Sequence, residues 1–125
     1  MILGIGIDSV EIERFVHWTT FPQKSLERIF SAPEIEYCLS CPAKSAERFA
    51  ARFAIREALL KALQSAFPEE RLALLAICKA IRIEKTDSGA PIAYLTGLYP
   101  QNFSIKISWT HTKTTATAIV CLQNQ

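Results

Sequence analysis

Residues 45–66, SAERFAARFAIREALLKALQSA, decide the fold of this chain. They are rich in Ala, Leu, Glu, Arg and Lys, which are strong helix formers, and they include neither Gly nor Pro. Pro68 ends the pattern, because proline has no N–H to donate to a continuing helix. The stretch therefore predicts one long helix.

The residues before this helix predict a buried strand. Residues 2–7 alternate glycine with branched side chains, which is typical of a strand that another backbone approaches closely. Asp8 follows directly and is expected at the strand's end. The apolar positions between Val10 and Phe21 then indicate a short helix that begins after Glu11.

A capping box predicts a second short helix. Ser31 can cap its first turn, Pro33 is tolerated there, and Glu34 stands three residues after Ser31. This helix should end near Pro42. Beyond the long helix, the pattern predicts another helical piece at 69–76, strands at 80–85, 91–96, 103–109 and 115–122, and a turn at 86–89. The order predicts an α+β fold.

Composition excludes several classes of protein. With 125 residues, half of them hydrophobic, the chain has the size of one domain, residues 1–125. Its formal charge of +2 is too small for a nucleic-acid footprint. The longest apolar run, 72–78, is far shorter than the ~20 residues that span a bilayer, and Asp8 interrupts the N-terminal run too early for a signal peptide. We therefore expect a cytoplasmic protein with no membrane anchor.

Cys38 and Cys41 have the spacing of a redox or zinc motif. A structural zinc site needs two more ligands at recognisable spacing, whereas Cys78, Cys121 and both histidines lie elsewhere. The favoured interpretation is four reduced thiols.

Two rows of side chains on the long helix indicate chemistry. The first row recurs every fourth residue: Phe49, Phe53, Glu57 and Lys61. The second presents three guanidinium groups suited to phosphate oxygens: Arg48, Arg52 and Arg56. A Glu four residues before a Lys is also a common stabilising surface pair, and arginine rows are usually solvated. The rows alone therefore leave function open.

Asp8 adds a second carboxylate from a different element. Together with Glu57 it makes a candidate hard-cation site, since Mg²⁺ takes one or two protein carboxylates plus substrate phosphates. Helix capping is the alternative for Asp8. Residues 108–112 place hydroxyls around His111 between two predicted strands, a second candidate ligand site, although a lone loop histidine is more often structural.

Three ordered motifs resemble one known family. The stretch GIGIDSVEIER at 4–14 resembles the opening of the holo-acyl-carrier-protein synthases. RFAIREALLKA at 52–62 resembles their Arg-Phe-Ala-x-Lys-Glu-Ala-x-x-Lys-Ala run, and SWTHTK at 108–113 resembles their Ser-x-x-His-Thr-Lys element. Gly89-Ala90-Pro91 is similar to the family's Gly-x-Pro hairpin. Three motifs in the family's order make coincidence improbable.

The resemblance implies both a fold and an activity. The fold is that of the short bacterial 4′-phosphopantetheinyl transferases, in which a long central helix packs on an antiparallel sheet. The activity is transfer of 4′-phosphopantetheine from coenzyme A to a serine of apo acyl carrier protein in fatty acid biosynthesis, with release of adenosine 3′,5′-bisphosphate. The resemblance also implies a homotrimer with active sites between subunits.

Roles follow for residues at matched positions. The resemblance implies that Asp8 and Glu57 hold Mg²⁺ and that Glu57 and Lys61 are catalytic. Arg14 would begin the helix that meets the acidic carrier protein, and Lys24 and Arg28 add basic charge nearby. The implied contacts to coenzyme A are Arg52, Phe53, Arg56, Pro91, His111 and Thr112.

The sequence departs from the family's pattern at two places. Arg56 replaces the usual Lys, and residues 64–70 contain no glycine where the family places a Gly-rich loop. The second departure keeps open a non-catalytic module that binds coenzyme A or a nucleotide through the arginine row. A small RNA-binding domain is disfavoured by the near-balanced charge.

Overall fold

The central helix has the predicted bounds. In the computed structural model, which describes residues 1–97 and 103–125, α3 spans Ser45–Ala66. Most of its side chains are buried, because strands, a 3₁₀ helix and two further helices surround it. Its Ala-rich composition lets these elements approach closely.

The remaining elements follow in chain order. Strand β1 (Ile2–Glu11) leads into a 3₁₀ helix (Ile12–Thr20), followed by α1 (Gln23–Leu26), α2 (Ala32–Leu39), a 3₁₀ turn (Pro42–Lys44) and α3. After α3 come α4 (Leu74–Ala80), β2 (Ile81–Lys85), β3 (Pro91–Leu95), β4 (Phe103–His111) and β5 (Thr115–Asn124). The α+β prediction is confirmed.

The described strands form two antiparallel sheets. One has the order β1-β5-β4, with Gly6 opposite Val120 and Ile107 opposite the same Val120. The other is the β2-β3 hairpin, whose turn uses Gly89 at a positive φ of 86°. Strands β1 and β5 pack on α3, and the hydrophobic core lies between them and the helix.

The glycines of β1 are needed for this packing. A Cβ on Gly6 would collide with the carbonyl oxygen of Ala58, and one on Gly4 would collide with that of Ala62. A step of two residues forward along β1, from Gly4 to Gly6, thus moves the contact one helical turn back along α3, from Ala62 to Ala58. Asp8, the next residue on the same face, is therefore carried to the middle of the helix.

Two local predictions were wrong, and one short helix was not predicted. Asp8 does not end the strand, because pairing with β5 continues the ladder to Glu11 opposite Thr115. The helical piece expected at 69–76 lies instead at Leu74–Ala80, where Ile77 and Cys78 become buried against the core. The short helix α1 was not predicted, since four residues carry too little periodicity.

The capping-box prediction is confirmed. The Ser31 hydroxyl accepts from the backbone N–H of Glu34, and the Glu34 side chain accepts from the backbone N–H of Ser31.

Within residues 1–97 and 103–125, no helix combines the length and the apolar character required to cross a membrane.

Candidate functional site

Asp8 and Lys61 meet where β1 crosses α3. The Nζ of Lys61 donates to Asp8 Oδ1 at 3.1 Å and to the carbonyl oxygen of Ile7 at 3.0 Å. Asp8 Oδ2 is buried and has no hydrogen-bond partner among the described residues. A buried carboxylate oxygen without a partner is rare, so this atom is suited to a ligand that the folded chain itself does not supply.

Glu57 lies one helical turn before Lys61. Its side chain is half-buried, and no hydrogen bond or ion pair found in the described part of the chain uses its carboxylate. The described residues also contain no group of three or more His, Cys, Asp or Glu side chains close enough to hold a metal ion. Any cation here would therefore rely on two carboxylates, with water and substrate oxygens as further ligands.

A cationic cavity of about 140 Å³ opens beside the N-terminal half of α3. Four cations line it: Lys44, Arg48, Arg52 and Lys85. The remaining wall is formed by Tyr37, Glu47, Ala51, Trp109 and His111. With four cations against one carboxylate, the cavity is suited to an anionic group such as a phosphate.

Tyr37 contacts three of the four cations that line this cavity. The Cζ atoms of Arg48 and Arg52 lie 4.1 and 4.6 Å from its ring centroid, within the range of cation–π attraction. Lys85 Nζ donates to the Tyr37 hydroxyl at 3.0 Å. That hydrogen bond lowers the pKa of Tyr37 below its ordinary value, with help from the neighbouring positive charges and against the effect of burial.

The predicted arginine row divides between the cavity and the core. Arg48 and Arg52 line the cavity, but Arg56 has no exposed surface and its guanidinium is paired with Glu34. A direct contact of Arg56 with coenzyme A is therefore ruled out in this arrangement. The helical spacing could not reveal this, because Glu34 is 22 positions away in sequence.

Phe53 belongs to an aromatic cluster rather than to the cavity wall. Its ring packs against Phe15 and Trp18 at centroid distances of 5.5 and 5.8 Å. Exposed Arg14 lies above this cluster, with its Cζ 5.8 Å from the Phe53 centroid. The cluster packs against the 3₁₀ helix, which is the helix predicted after Glu11, and Arg14 is an exposed cation of that helix.

The other implied coenzyme A contacts, His111, Thr112 and Pro91, lie in different places relative to the cavity. His111 lines the cavity, and its Nε2 lies 2.7 Å from Glu47 Oε1. The Thr112 hydroxyl accepts from the backbone N–H groups of Thr114 and Thr115 and so closes the β4–β5 turn. Pro91 begins β3 opposite Lys85. Of these three, only His111 is part of the cavity wall.

The cysteines form no disulfide. Cys38 and Cys78 are buried, and burial raises the pKa of each thiol to about 11. Such thiols stay protonated and unreactive at neutral pH.

Sequence reasoning gave no ligand-binding role to several cavity residues: Tyr37, Lys44, Glu47 and Lys85, while Trp109 was noted only as part of the segment around His111. They come from α2, the turn before α3, α3 itself, β2 and β4. No local pattern joins residues so far apart. Two signals did point toward this region: Arg48 and Arg52 on α3, and the segment 108–112, whose Trp109 and His111 both line the cavity.

Comparison with known proteins identifies a family. The model of the 4′-phosphopantetheinyl transferase superfamily matches residues 4–121. The chain is 39% identical over 129 residues to the holo-[acyl-carrier-protein] synthase of Treponema denticola, covering 98% of this chain and 99% of that protein. It is 34% identical over 127 residues to the synthase of Chlorobium phaeovibrioides, covering 97% and 94%.

Solved structures of holo-[acyl-carrier-protein] synthases are similar to this chain along nearly its whole length. The Helicobacter pylori holo-[acyl-carrier-protein] synthase in complex with coenzyme A is 32% identical, with a TM-score of 0.71, and the match covers 95% of this chain and 99% of that one. The Bacillus anthracis synthase, in complex with coenzyme A (3′,5′-ADP), is 29% identical, with a TM-score of 0.77 and coverage of 100% and 99%.

Proposed function

The chain belongs to the 4′-phosphopantetheinyl transferase superfamily, and we propose on that basis that it is a holo-[acyl-carrier-protein] synthase. It transfers 4′-phosphopantetheine from coenzyme A to a serine of apo acyl carrier protein, for fatty acid biosynthesis. Full-length similarity to proteins of that name supports the activity. The observation that carries it is the contact of Lys61 with Asp8, whose second carboxylate oxygen remains free for a ligand in the described structure.

Magnesium is the proposed metal, and Asp8 and Glu57 are the residues that would hold it. Among the described residues, Asp8 Oδ2 is buried without a hydrogen-bond partner, and the carboxylate of Glu57 makes no ion pair. Two such carboxylates are suitable ligands for a hard cation, which prefers oxygen. When bound, Mg²⁺ would neutralise negative charge on the phosphate oxygens.

The reaction is an in-line phosphoryl transfer. The serine Oγ forms a bond to the β-phosphorus of coenzyme A, the bond from that phosphorus to the bridging oxygen breaks, and adenosine 3′,5′-bisphosphate leaves. Glu57 is the candidate to accept the serine proton. Lys61 Nζ has three N–H donors, of which two are used by Ile7 and Asp8 in the described structure. The third is available to the leaving phosphate.

The cavity is the proposed site for a phosphate of coenzyme A. Its four cations, Lys44, Arg48, Arg52 and Lys85, outnumber its single acid, Glu47, and His111 is also part of its wall. Arg52 and His111 therefore keep the roles that the motifs implied. Phe53, Pro91 and Thr112 are proposed as secondary contacts, reached only by parts of the ligand outside the cavity.

A homotrimer with shared active sites is the proposed assembly. Arg52 and Lys61 are nine positions apart, and at about 100° per residue this puts them on opposite faces of α3. One ligand would meet both more easily between two copies of the chain. The outer face of the sheet supports such contact, since Ile5, Ile7 and Ile119 are 54%, 59% and 40% exposed.

Complementation tests this assembly. Arg52→Ala and Lys61→Met are each expected to lower turnover strongly, and mixing them should restore part of the lost activity if each site takes Arg52 and Lys61 from different chains. No restoration after verified subunit exchange would mean that each site is built from one chain.

The carrier protein is proposed to dock on the 3₁₀ helix. Arg14 is exposed on that helix, Lys24 is exposed on the following helix α1 and Arg28 just after it, and the three cations fit an acidic partner. The reaction is assigned to the cytoplasm, where the four free thiols would remain reduced.

The decisive experiment is the intact mass of apo acyl carrier protein after incubation with the chain and coenzyme A, with and without Mg²⁺. A gain of one phosphopantetheine, only with the metal, is expected. No gain, on a carrier that a known synthase does modify, would instead favour a module that binds coenzyme A without turnover.

A further inference from the structure

Glu34 on α2 is a buried acid for which the proposed chemistry has no use. Only 4% of its surface is exposed. Its Oε2 and Oε1 accept from Arg56 Nη1 at 3.1 Å and Nη2 at 2.5 Å. Oε1 also accepts from the backbone N–H and the hydroxyl of Ser31, at 3.1 and 3.0 Å. The Nε of Arg52 lies 3.7 Å from Oε2.

Glu34, Arg52 and Arg56 therefore form a buried charged triad. Arg56 is 0% exposed and Arg52 is 5% exposed, and in the described part of the chain Glu34 is the ion-pair partner of both. Burying a guanidinium without a paired anion is costly. Removal of the carboxylate would thus leave two cations uncompensated, and Arg52 is the one near the surface.

Arg52 connects this triad to the cavity. Its Cζ lies 4.6 Å from the Tyr37 ring centroid and 5.7 Å from that of Trp109, and both rings line the cavity. The guanidinium lies against two aromatic rings and is paired with one carboxylate at 3.7 Å, while its buried Nε has no hydrogen-bond partner among the described residues. A group fixed in this way meets an anion without first losing conformational freedom.

We propose that Glu34 is a positioning residue, which holds Arg52 in the orientation that binds an anionic group of coenzyme A. Glu34 acts through Arg52 and does not touch the substrate. Arg56 is its anchor: besides the two-point pair with Glu34, its Nη1 donates to the carbonyl oxygen of Arg52 at 3.1 Å. This role rests on the proposed function, because it assumes that coenzyme A supplies the anion.

A double-mutant cycle with Glu34→Gln and Arg52→Ala tests the proposal. Glutamine keeps the shape of the side chain and removes its charge. We expect Glu34→Gln to raise the Kd and the KM for coenzyme A about tenfold, as loss of a buried ionic partner does, and to leave the KM for carrier protein unchanged. In the Arg52→Ala background the same change should have no further effect on either constant for coenzyme A.

The matched control is Glu36→Gln, which removes an exposed acid from the same helix and should change neither constant. Additive effects of Glu34→Gln and Arg52→Ala, or equal increases in both KM values, would overturn the proposal in favour of a purely structural triad. If Glu34→Gln does not fold, Glu34→Asp, which keeps the charge but shortens its reach, replaces it in the cycle.

The two proposals fail in different ways. A wild-type chain that binds coenzyme A but transfers nothing would overturn the transferase activity, while the Kd cycle would still decide the role of Glu34. A wild-type chain that does not bind coenzyme A would overturn both.

Discussion

Asp8 and Lys61 are 53 positions apart in sequence, yet Lys61 Nζ lies 3.1 Å from Asp8 Oδ1. The approach depends on β1 lying directly against α3, which the two glycines of the strand allow. One oxygen of Asp8 is thereby held by a lysine, and the other remains buried without a hydrogen-bond partner in the described structure. This division of one carboxylate motivates the first two predictions.

Asp8→Asn should reduce turnover about 10²-fold or more, because it removes the charge that would hold Mg²⁺ while keeping the side-chain shape. The rate of carrier-protein modification and the affinity for Mg²⁺ measure the effect, and the thermal midpoint should change little. Glu11→Gln, an exposed acid on the same strand, is the control. A near-normal rate in Asp8→Asn would contradict the metal assignment.

Lys61→Met should slow turnover by about 10- to 100-fold, because the leaving phosphate loses a charged donor. Its effect on stability should be small, since the Lys61 side chain is 51% exposed and such ion pairs contribute little. Steady-state rates and thermal unfolding are compared with those of Lys79→Met, an exposed lysine on α4. A loss of stability without a loss of rate would mean that the Asp8 contact is only structural.

Arg14→Glu should raise the KM for carrier protein by about fivefold and leave the KM for coenzyme A unchanged, because reversing the charge repels an acidic partner. Added salt should weaken the binding of carrier protein to the wild type, so the difference in KM between the wild type and Arg14→Glu should become smaller. Arg82→Glu, an exposed arginine on β2, makes the same change in net charge and should have no such effect. Equal KM values for both variants would place the docking surface elsewhere.

Gly6→Ala should lower the free energy of unfolding by about 3 kcal/mol, because the new Cβ collides with the carbonyl oxygen of Ala58 and forces β1 away from α3. Gly89→Ala has open space around it and should cost only about 1 kcal/mol, from its positive φ. Denaturant unfolding compares the two variants. Similar losses would show that the strand–helix approach tolerates a methyl group.

Lys85→Met should raise the pKa of Tyr37, because the hydrogen bond from Lys85 is the largest cause of its lowering. Ultraviolet titration of tyrosinate measures this, with Tyr37→Phe identifying which transition belongs to Tyr37. A lowered pKa in the folded state means that ionised Tyr37 adds stability above the ordinary pKa of 10.0 and that this contribution is lost as pH falls through the folded-state value.

The stability of the wild type relative to Tyr37→Phe should therefore increase as pH rises toward 10.0. An unchanged transition in Lys85→Met would mean that the lysine does not reach the hydroxyl in solution.

Local chemistry was enough to predict the main elements. The bounds of α3 follow from a run of strong helix formers ended by Pro68, and the start of α2 follows from the capping box of Ser31 and Glu34. The prediction failed for α4 and for the end of β1, where burial of Ile77 and pairing with β5 outweigh local preference. The resemblance of the motifs to a known family also implied one site for Asp8, Glu57 and Lys61, of which Asp8 and Lys61 are in contact in the structure.

The tertiary structure decided how those residues are used. Sequence spacing treated Arg48, Arg52 and Arg56 as one row, but contact with α2 buries Arg56 against Glu34 and leaves the other two at the cavity. Helix propensity and capping depend on neighbours within four residues, so they can be predicted from the sequence alone. Burial and charge pairing depend on which distant segment packs against a side chain, and only the folded chain determines that.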